Sequence, residues 1–337
     1  MRTAIAASER VRGTTAPNPP VGVVILDLEG VPVGVGATSP PGGPHAEVNA
    51  LREAGHRARG GTAVVTLEPC NHHGRTPPCS EALIAAGVAA VYYGVRDPNP
   101  LAQGGAEALT NAGVEVHGGL CADEVEVGPL RAWLHRQRKG RPHVTWKFAA
   151  SLDGRSAAAD GTSQWITGRV ARARVHEDRA KLDAIVIGTG TVRADDPWLT
   201  ARLPDGSLAS RQPVRVVVGE SDIPATSRVL DDVAPTLRLR TRDPDAVLDA
   251  LRGYDDVQIE GGPTLAGGFL AARRVDRIQA YIAPVLLGAG AAAVRDAGVG
   301  TIEQALRFRR EWVETVGTDI MLSLVPADGN QRDRNQD

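Results

Sequence analysis

TAVVTLEPCNHHGRTPPCSEALIAAG, residues 62–87, is the stretch on which the reading of the chain's first half turns. It opens on aliphatic and β-branched residues, the pattern of a buried strand. It closes on an alanine-rich run stopped by Gly87, the pattern of a helix. Between the two stand Cys70 and Cys79, nine positions apart and two of only three cysteines in 337 residues. Pro77 and Pro78 place Cys79 at the start of the helix. Three accounts of the pair compete: a disulfide, buried structural thiols, or metal ligation. The opening residues, MRTAIAASERVRG, lack the continuous apolar stretch of a signal peptide. A cytoplasmic chain is therefore expected, and disulfides are rare there. A cysteine standing alone is by default a small buried hydrophobe. A helix N-terminus, however, favours a thiolate, and the thiolate is what zinc binds.

A third ligand is found upstream. GGPHAEVNALREAG, residues 42–55, reads as another helix start, with His45 and Glu47 in its first turn. One histidine and two cysteines give a tetrahedral zinc with one position open for water, the mark of a catalytic site. Glu47 lies two residues from His45 and projects differently, so it is expected to shuttle a proton rather than bind metal. His-x-Glu by itself is commonly a solvated helix face; the cysteine stretch behind it gives it weight.

The combination His45-x-Glu47 with Pro69-Cys70…Cys79 resembles the zinc deaminases of nucleobases and pyrimidines, although eight residues replace the usual two between the cysteines. With APNPPVG (16–22) upstream and DPNP (97–100) downstream, the expanded motif resembles one family, the bifunctional deaminase–reductase of riboflavin biosynthesis. That resemblance implies zinc on His45, Cys70 and Cys79, proton transfer by Glu47, and a pyrimidine pocket lined by Asn18, His72, Asp97 and Asn99. Turn chemistry alone would also explain Asn18, Asp97 and Asn99 among their prolines. Asn71 stands where the family more often has Ser. Arg75 is a candidate phosphate partner; His73 would make a spare ligand, but zinc already has three from the protein; Cys121 is expected to be a buried thiol.

Around these motifs the first domain reads as strands VGVVILD, TAVVTLEP, VAAVYYGV and GVEVHGG with helices at 45–54, 79–86 and about 104–112. Such alternation implies a sheet with helices on its faces. The basic run Arg136–Arg141, with Gly140 and Pro142, reads as a boundary. The expected organisation is therefore 1–140 for the zinc domain, 143–328 for a second domain, and 329–337 as a flexible tail.

The second half carries no further cysteine and no His-x-Glu, so its chemistry differs. HVTWKFAAS opens it, and AIVIGTG, VRVVVGE and VQIEGG are short aliphatic runs ending at glycines, the look of buried parallel strands with a ligand site at their C-terminal ends. In EGGPTLAGGFL (260–270) the glycines and a helix start suit a phosphate, but they serve a tight strand-to-helix turn equally well. KFAASLDGRSA, SQWITG, VIGTGTVRADDPWLTAR, EGGPTLAGGFL and YIAPVLLG, in order, resemble the reductase half of the same family, whose fold is similar to dihydrofolate reductase. The implied fold class is α/β throughout, a cytidine-deaminase-like zinc domain followed by a dihydrofolate-reductase-like domain. The resemblance implies NADPH contacts at Ala149, Trp165, Thr191 and Asp195 and along Gly262, Pro263, Thr264, Leu265, Ala266, Gly267 and Gly268. It implies substrate contacts at Ser163, Arg179, Leu199, Arg202 and Glu260, with Lys147 nearest the reduction. Arg179 and Arg202 suit a substrate phosphate; Arg179 on an exposed helix would also simply pair with Glu or Asp. Lys147 in an apolar strand is costly to bury unless paired or functional.

Composition limits the partners. With 38 basic and 40 acidic residues the net charge is −2, too balanced for a general grip on nucleic acid or an anionic membrane. No apolar run approaches the roughly 20 residues that span a bilayer. The expected protein is a cytoplasmic enzyme acting on a phosphoribosylaminopyrimidine: zinc-dependent hydrolytic deamination, then reduction of the ribosyl group by NADPH. The resemblance implies a homo-oligomer, dimer or tetramer. The competing reading is a tRNA-type nucleic-acid base deaminase with an accessory domain, against which the 4% aromatic content argues, since stacking platforms are wanted there. A pyrimidine-binding regulator without catalysis is the third class, and the intact ligand set speaks against it.

Overall fold

The computed structural model describes residues 1–73 and 77–327; Arg75 and the proposed tail at 329–337 lie outside the described residues. The chain forms two compact units, one of Met1–Pro142 with Gly253–Asp255, the other of the remaining described chain from His143 onward.

The first unit runs α1 (Arg2–Arg10), β1 (Gly22–Leu26), β2 (Pro32–Ala37), α2 (Ala46–Ala54), β3 (Thr62–Leu67), α3 (Cys79–Ala86), β4 (Ala90–Val95), α4 (Gly105–Asn111), β5 (Glu115–Gly118), α5 (Ala122–Val127) and α6 (Arg131–Lys139). Its five strands lie in the order β2-β1-β3-β4-β5. β1 is antiparallel to β2 and β3, whereas β3, β4 and β5 are parallel. The core gathers Val23, Ile25, Val65, Leu83, Val91, Leu109, Leu130 and Leu134. The strand and helix expected from 62–87 are β3 and α3, and α3 ends at Gly87 in the left-handed conformation. The basic run read as a boundary is largely helix: α6 continues to Lys139 and is stopped by left-handed Gly140.

β2 was not apparent in the sequence because its inward positions are glycines. A methyl group at Gly34 would stand 2.2 Å from the Ala50 carbonyl oxygen, and one at Gly36 would stand 2.2 Å from that of Ala46. The α2 backbone thus rests directly on the strand. What looks like poor strand composition is the condition for that close approach.

The second unit runs β6 (His143–Ser151), α7 (Arg169–Arg179), β7 (Ala184–Gly188), α8 (Thr189–Asp195), β8 (Val214–Val218), β9 (Thr236–Leu239), α9 (Pro244–Ala250), β10 (Asp256–Glu260), α10 (Pro263–Ala271), β11 (Arg277–Ala283), β12 (Phe308–Val316) and β13 (Asp319–Pro326). Eight strands form one sheet in the order β12-β13-β11-β6-β10-β7-β8-β9. From β11 to β9 every pairing is parallel; β13 is antiparallel to β11 and to β12. β7 ends at Gly188, and β8 and β10 run directly into Gly219 and Gly261, so their C-terminal ends form one edge from which the loops of interest leave. No helix among the described residues is long and apolar enough to cross a membrane.

Candidate active sites

In the first unit the C-terminal end of β3 and the N-termini of α2 and α3 converge. His45 is the N-cap of α2, in extended conformation, and Cys79 is the first residue of α3. Cys70 leaves β3 through Glu68-Pro69. The His45 Nδ1 atom is 3.3 Å from Cys79 Sγ and 3.6 Å from Cys70 Sγ, and the Cys79 backbone N–H points at Cys70 Sγ from 3.4 Å. All three donor atoms lie within 4.8 Å of one another. Tetrahedral zinc with bonds of about 2.0 and 2.3 Å to N and S requires N···S separations of about 3.5 Å. The donor set and its spacing therefore fit the ion.

Electrostatics agree. Hydrogen bonds from the Cys79 thiol and the His45 ring drive Cys70 well below the ordinary thiol range, against the burial that would raise it. Cys79 is pushed up, since it shares its proton with Cys70 and is buried. One thiolate is thus already favoured, and a cation would favour both. Glu47, in the first turn of α2 and buried, is raised to about 7 by desolvation and by the neighbouring Cys70 charge.

The pyrimidine-pocket candidates fall on this rim unequally. Asp97 follows β4, next to β3, and is buried; desolvation is the main cause lifting its carboxyl to about 6, and Glu68, Cys70 and His72 are near enough to contribute. Its Oδ1 accepts the Asn99 N–H at 2.8 Å, and Asn99 Oδ1 accepts the Leu101 N–H at 3.1 Å, so the turn role anticipated for both is present. Asn18 differs: its backbone N–H and C=O close the turn with Thr15, at 2.8 and 2.9 Å. His72 is half-buried, and its Nδ1 has no hydrogen-bond partner among the described residues. His73 instead pairs with Glu81 at the surface, 3.1 Å away. Cys121, expected to be buried, is half-buried at the N-cap of α5. The sequence reading missed Glu68, a buried carboxylate whose Oε1 accepts the Ala106 N–H at 3.1 Å and whose Oε2 accepts the Asp97 N–H at 3.3 Å.

In the second unit Lys147 and Glu260 are direct partners in the parallel pairing of β6 and β10, so their side chains share a face. Gln258, two residues back on the same face, donates to Glu260 Oε1 at 2.9 Å. From the C-terminus of α7, Arg179 reaches Glu260 with both arms, Nε to Oε1 at 2.8 Å and Nη2 to Oε2 at 2.7 Å, and also donates to the Thr200 carbonyl at 3.2 Å. Burial alone would raise Glu260; the Arg179 guanidinium, then Lys147 and Gln258, hold it at about 2 instead. Burial lowers Lys147, with Glu260 opposing. The Lys147 Nζ also stands over the Tyr281 ring, 5.7 Å from its centroid. The cost of placing Lys147 here is thus met by a carboxylate and an aromatic face.

This geometry changes two readings. Arg179, expected to hold a phosphate, has its guanidinium fork engaged by Glu260. Arg202, half-buried and donating to the Gly206 carbonyl at 2.8 Å, keeps the phosphate reading. Leu199 is a buried member of the core with Ile185, Ile187 and Val217 and takes a φ of 54°, so only its backbone is left for a substrate. The cofactor segment is largely helix. Gly262 begins it in the left-handed region at φ 67°, but Pro263–Ala271 is helix α10, Ala266 is fully buried, and a methyl at Gly267 would meet the Arg295 carbonyl at 1.5 Å. Gly267 is packed directly against the Arg295 backbone. At Gly262 a methyl would crowd the Thr191 hydroxyl at 3.1 Å. A glycine turn facing Thr191 at a helix start is a cradle that suits the phosphate of a dinucleotide. Trp165 is 68% exposed and stacked by Arg172, 4.5 Å from its ring, and Ser163 lies half-buried in the same loop. Ala149 is on β6 beside Tyr281 of β11, and Asp195 closes α8 at the surface.

Comparison with known proteins agrees with both halves. The cytidine and deoxycytidylate deaminase zinc-binding region matches residues 1–95, and the RibD C-terminal domain matches residues 142–322. The riboflavin biosynthesis protein RibD of Mycobacterium tuberculosis is 59% identical over 325 residues, 96% of each chain, and that of Escherichia coli 41% over 365 aligned positions, 97% of this chain and 98% of the relative. Among solved structures, a diaminohydroxyphosphoribosylaminopyrimidine deaminase/5-amino-6-(5-phosphoribosylamino)uracil reductase from Thermotoga maritima superposes with a TM-score of 0.89 at 32% identity, covering 97% of both chains. RibD of Acinetobacter baumannii does so with 0.85 at 38% identity, covering 97% of this chain and 98% of that one. With a zinc-deaminase unit, a reductase unit and relatives matched nearly end to end, the chain belongs to the RibD family of bifunctional deaminase–reductases in riboflavin biosynthesis.

Proposed function

We propose that the two units act in succession on one phosphorylated metabolite. The first hydrolyses the exocyclic 2-amino group of 2,5-diamino-6-(5-phosphoribosylamino)pyrimidin-4-one; the second reduces the ribosyl group of the product to ribityl. The observation that carries this reading is the preformed triangle of His45, Cys70 and Cys79 with Glu47 buried beside it.

Held by those three residues, zinc supplies an acidified water as nucleophile. The Glu47 carboxylate takes a proton from that water as its oxygen bonds to the ring carbon, and returns it to the amino nitrogen as the C–N bond breaks and ammonia leaves. Asn18, His72, Asp97 and Asn99 hold the pyrimidine, and Arg75 holds its phosphate. In the second unit NADPH supplies the hydride to C1 of the ribosyl group. As the C1–O bond opens, the ring oxygen needs a proton, and Lys147, made a stronger acid by burial, is suited to give it. Arg202 binds the phosphate, with Ser163 and the Leu199 backbone beside the substrate and Arg179 orienting Glu260. Trp165, Ala149, Thr191, Asp195 and the turn from Gly262 to Leu265 border the cofactor. The three free cysteines are consistent with action in the cytoplasm. Assembly as a homodimer or tetramer belongs to the same proposal, and light scattering on the full chain tests it.

The decisive assay incubates full-length, zinc-loaded protein with the diaminopyrimidine, with and without NADPH, and follows products by mass spectrometry. Exchange of the amine for a carbonyl is expected in both, and addition of two hydrogens only with NADPH. Ammonia release from RNA but not from this pyrimidine, or from neither, overturns the reading.

A further inference from the structure

Four contacts tie the loop after β4 to the metal-bearing loop after β3. Glu68 accepts the Asp97 N–H on Oε2 and the Ala106 N–H, at the start of α4, on Oε1. The Asn71 N–H donates to the Ala102 carbonyl at 2.9 Å. Gly105 lies so close that a methyl there would sit 1.7 Å from the Pro69 carbonyl oxygen. Residues 97–106 are thereby clamped, at both ends and in the middle, to residues 68–71. Glu68 is the only member of the clamp that grips two points of that segment with one side chain. It is 6% exposed, and a buried carboxylate persists where backbone donors satisfy it.

We propose that Glu68 is a positioning residue of the deaminase: its carboxylate fixes the Asp97–Asn99 arm at its working distance from the ligands Cys70 and Cys79. The inference rests on the reading of Asp97 as a pyrimidine contact. Glu68 touches neither metal nor substrate and acts through the backbone of Asp97. Its loss therefore weakens the hold on the ring more than it slows the chemistry.

The test uses the full-length, zinc-loaded enzyme and the variants Glu68→Gln, Asp97→Asn and their combination. Zinc content, kcat and KM for ammonia release, and reduction of pre-deaminated substrate are measured side by side. Glutamine keeps the volume but presents an amide N–H to one of the two backbone donors. The expected result for Glu68→Gln is one zinc per chain, reduction unchanged, KM raised about tenfold, and kcat changed much less. Because Glu68 works through Asp97, the double variant should be no worse than Asp97→Asn alone. Unchanged KM in Glu68→Gln beside a raised KM in Asp97→Asn overturns the proposal and leaves the pocket reading standing. A raised KM in Glu68→Gln with none in Asp97→Asn refutes the Asp97 reading and the route proposed here together. Zinc loss, impaired reduction, or additive losses in the double variant assign Glu68 a merely structural or independent role and overturn the proposal.

Discussion

Replacing Arg179 by methionine removes the fork that neutralises Glu260 while keeping most of the side-chain volume. Glu260 is 8% exposed as a side chain and Arg179 15%, so solvent screens the pair little. A carboxyl held at about 2 rather than 4.5 corresponds to roughly 3 kcal/mol of folded-state stability at about 1.36 kcal/mol per pH unit. Breaking a buried ion pair on one side costs about 3–5 kcal/mol, the same scale by an independent route. The sign follows from the depressed value. The contribution is complete above pH 4.5, where the unfolded carboxyl is already ionised, and is lost as pH falls toward 2. Hydrogen exchange read on peptides from β6 and β10 reports this unit alone. Arg179→Met should speed exchange there about a hundredfold at pH 7. Arg179→Met with Glu260→Gln should recover part of that loss, because no carboxylate is left stranded and Lys147, though it loses Glu260, keeps the Tyr281 ring. The gap between wild type and Glu260→Gln should hold from pH 8 to pH 5 and close below it. Exchange within about threefold of wild type in Arg179→Met, or a double variant no better than the single, would falsify the account of Glu260 as a carboxylate stabilised by Arg179.

Three further outcomes are expected. Glu47→Gln should retain zinc and lose about two to four orders of magnitude in ammonia release, the scale of general acid–base catalysis; near-normal release by zinc-loaded protein would refute the proton-transfer role. Chelation and Cys79→Ser should each abolish deamination while reduction of pre-deaminated substrate persists, and Cys121→Ser should keep zinc and both activities; equal zinc loss from Cys121→Ser would show the metal site to be misread. Tyr281→Phe should leave reduction intact, since it keeps the ring under Lys147 and discards a hydroxyl with no partner among the described residues, whereas Tyr281→Leu should slow reduction; equal effects from both would detach the ring from Lys147.

How far the sequence could be read follows from how local each signal is. Cys70, Cys79 and His45 announced themselves because each sits at an element boundary marked by proline or glycine, and helix starts carry their own chemistry. The reductase strands were visible as aliphatic runs ending in glycine. The Arg179–Glu260 fork was not visible, because 81 residues separate its halves. It exists only once the C-terminus of α7 is brought to the end of β10. Glu68 escaped for the same reason: its partners belong to a later loop. The packing of Gly267 was not legible either, since the sequence does not tell a glycine that admits a ligand from one that admits the Arg295 carbonyl.

The glycines of β2 also set a tolerance for the metal. Ordinary contact of a methyl carbon begins at about 3.4 Å, so a methyl at Gly36, 2.2 Å from the Ala46 carbonyl oxygen and 2.5 Å from the Ala50 nitrogen, forces β2 and the start of α2 apart. That turn carries His45 as its cap and Glu47 within it. Zinc–ligand bonds are set to within about 0.2 Å. The strand surface is thus a stop for the turn that carries His45, and Gly36→Ala, one carbon atom remote from the ion, is expected to lower the zinc content measured on purified protein.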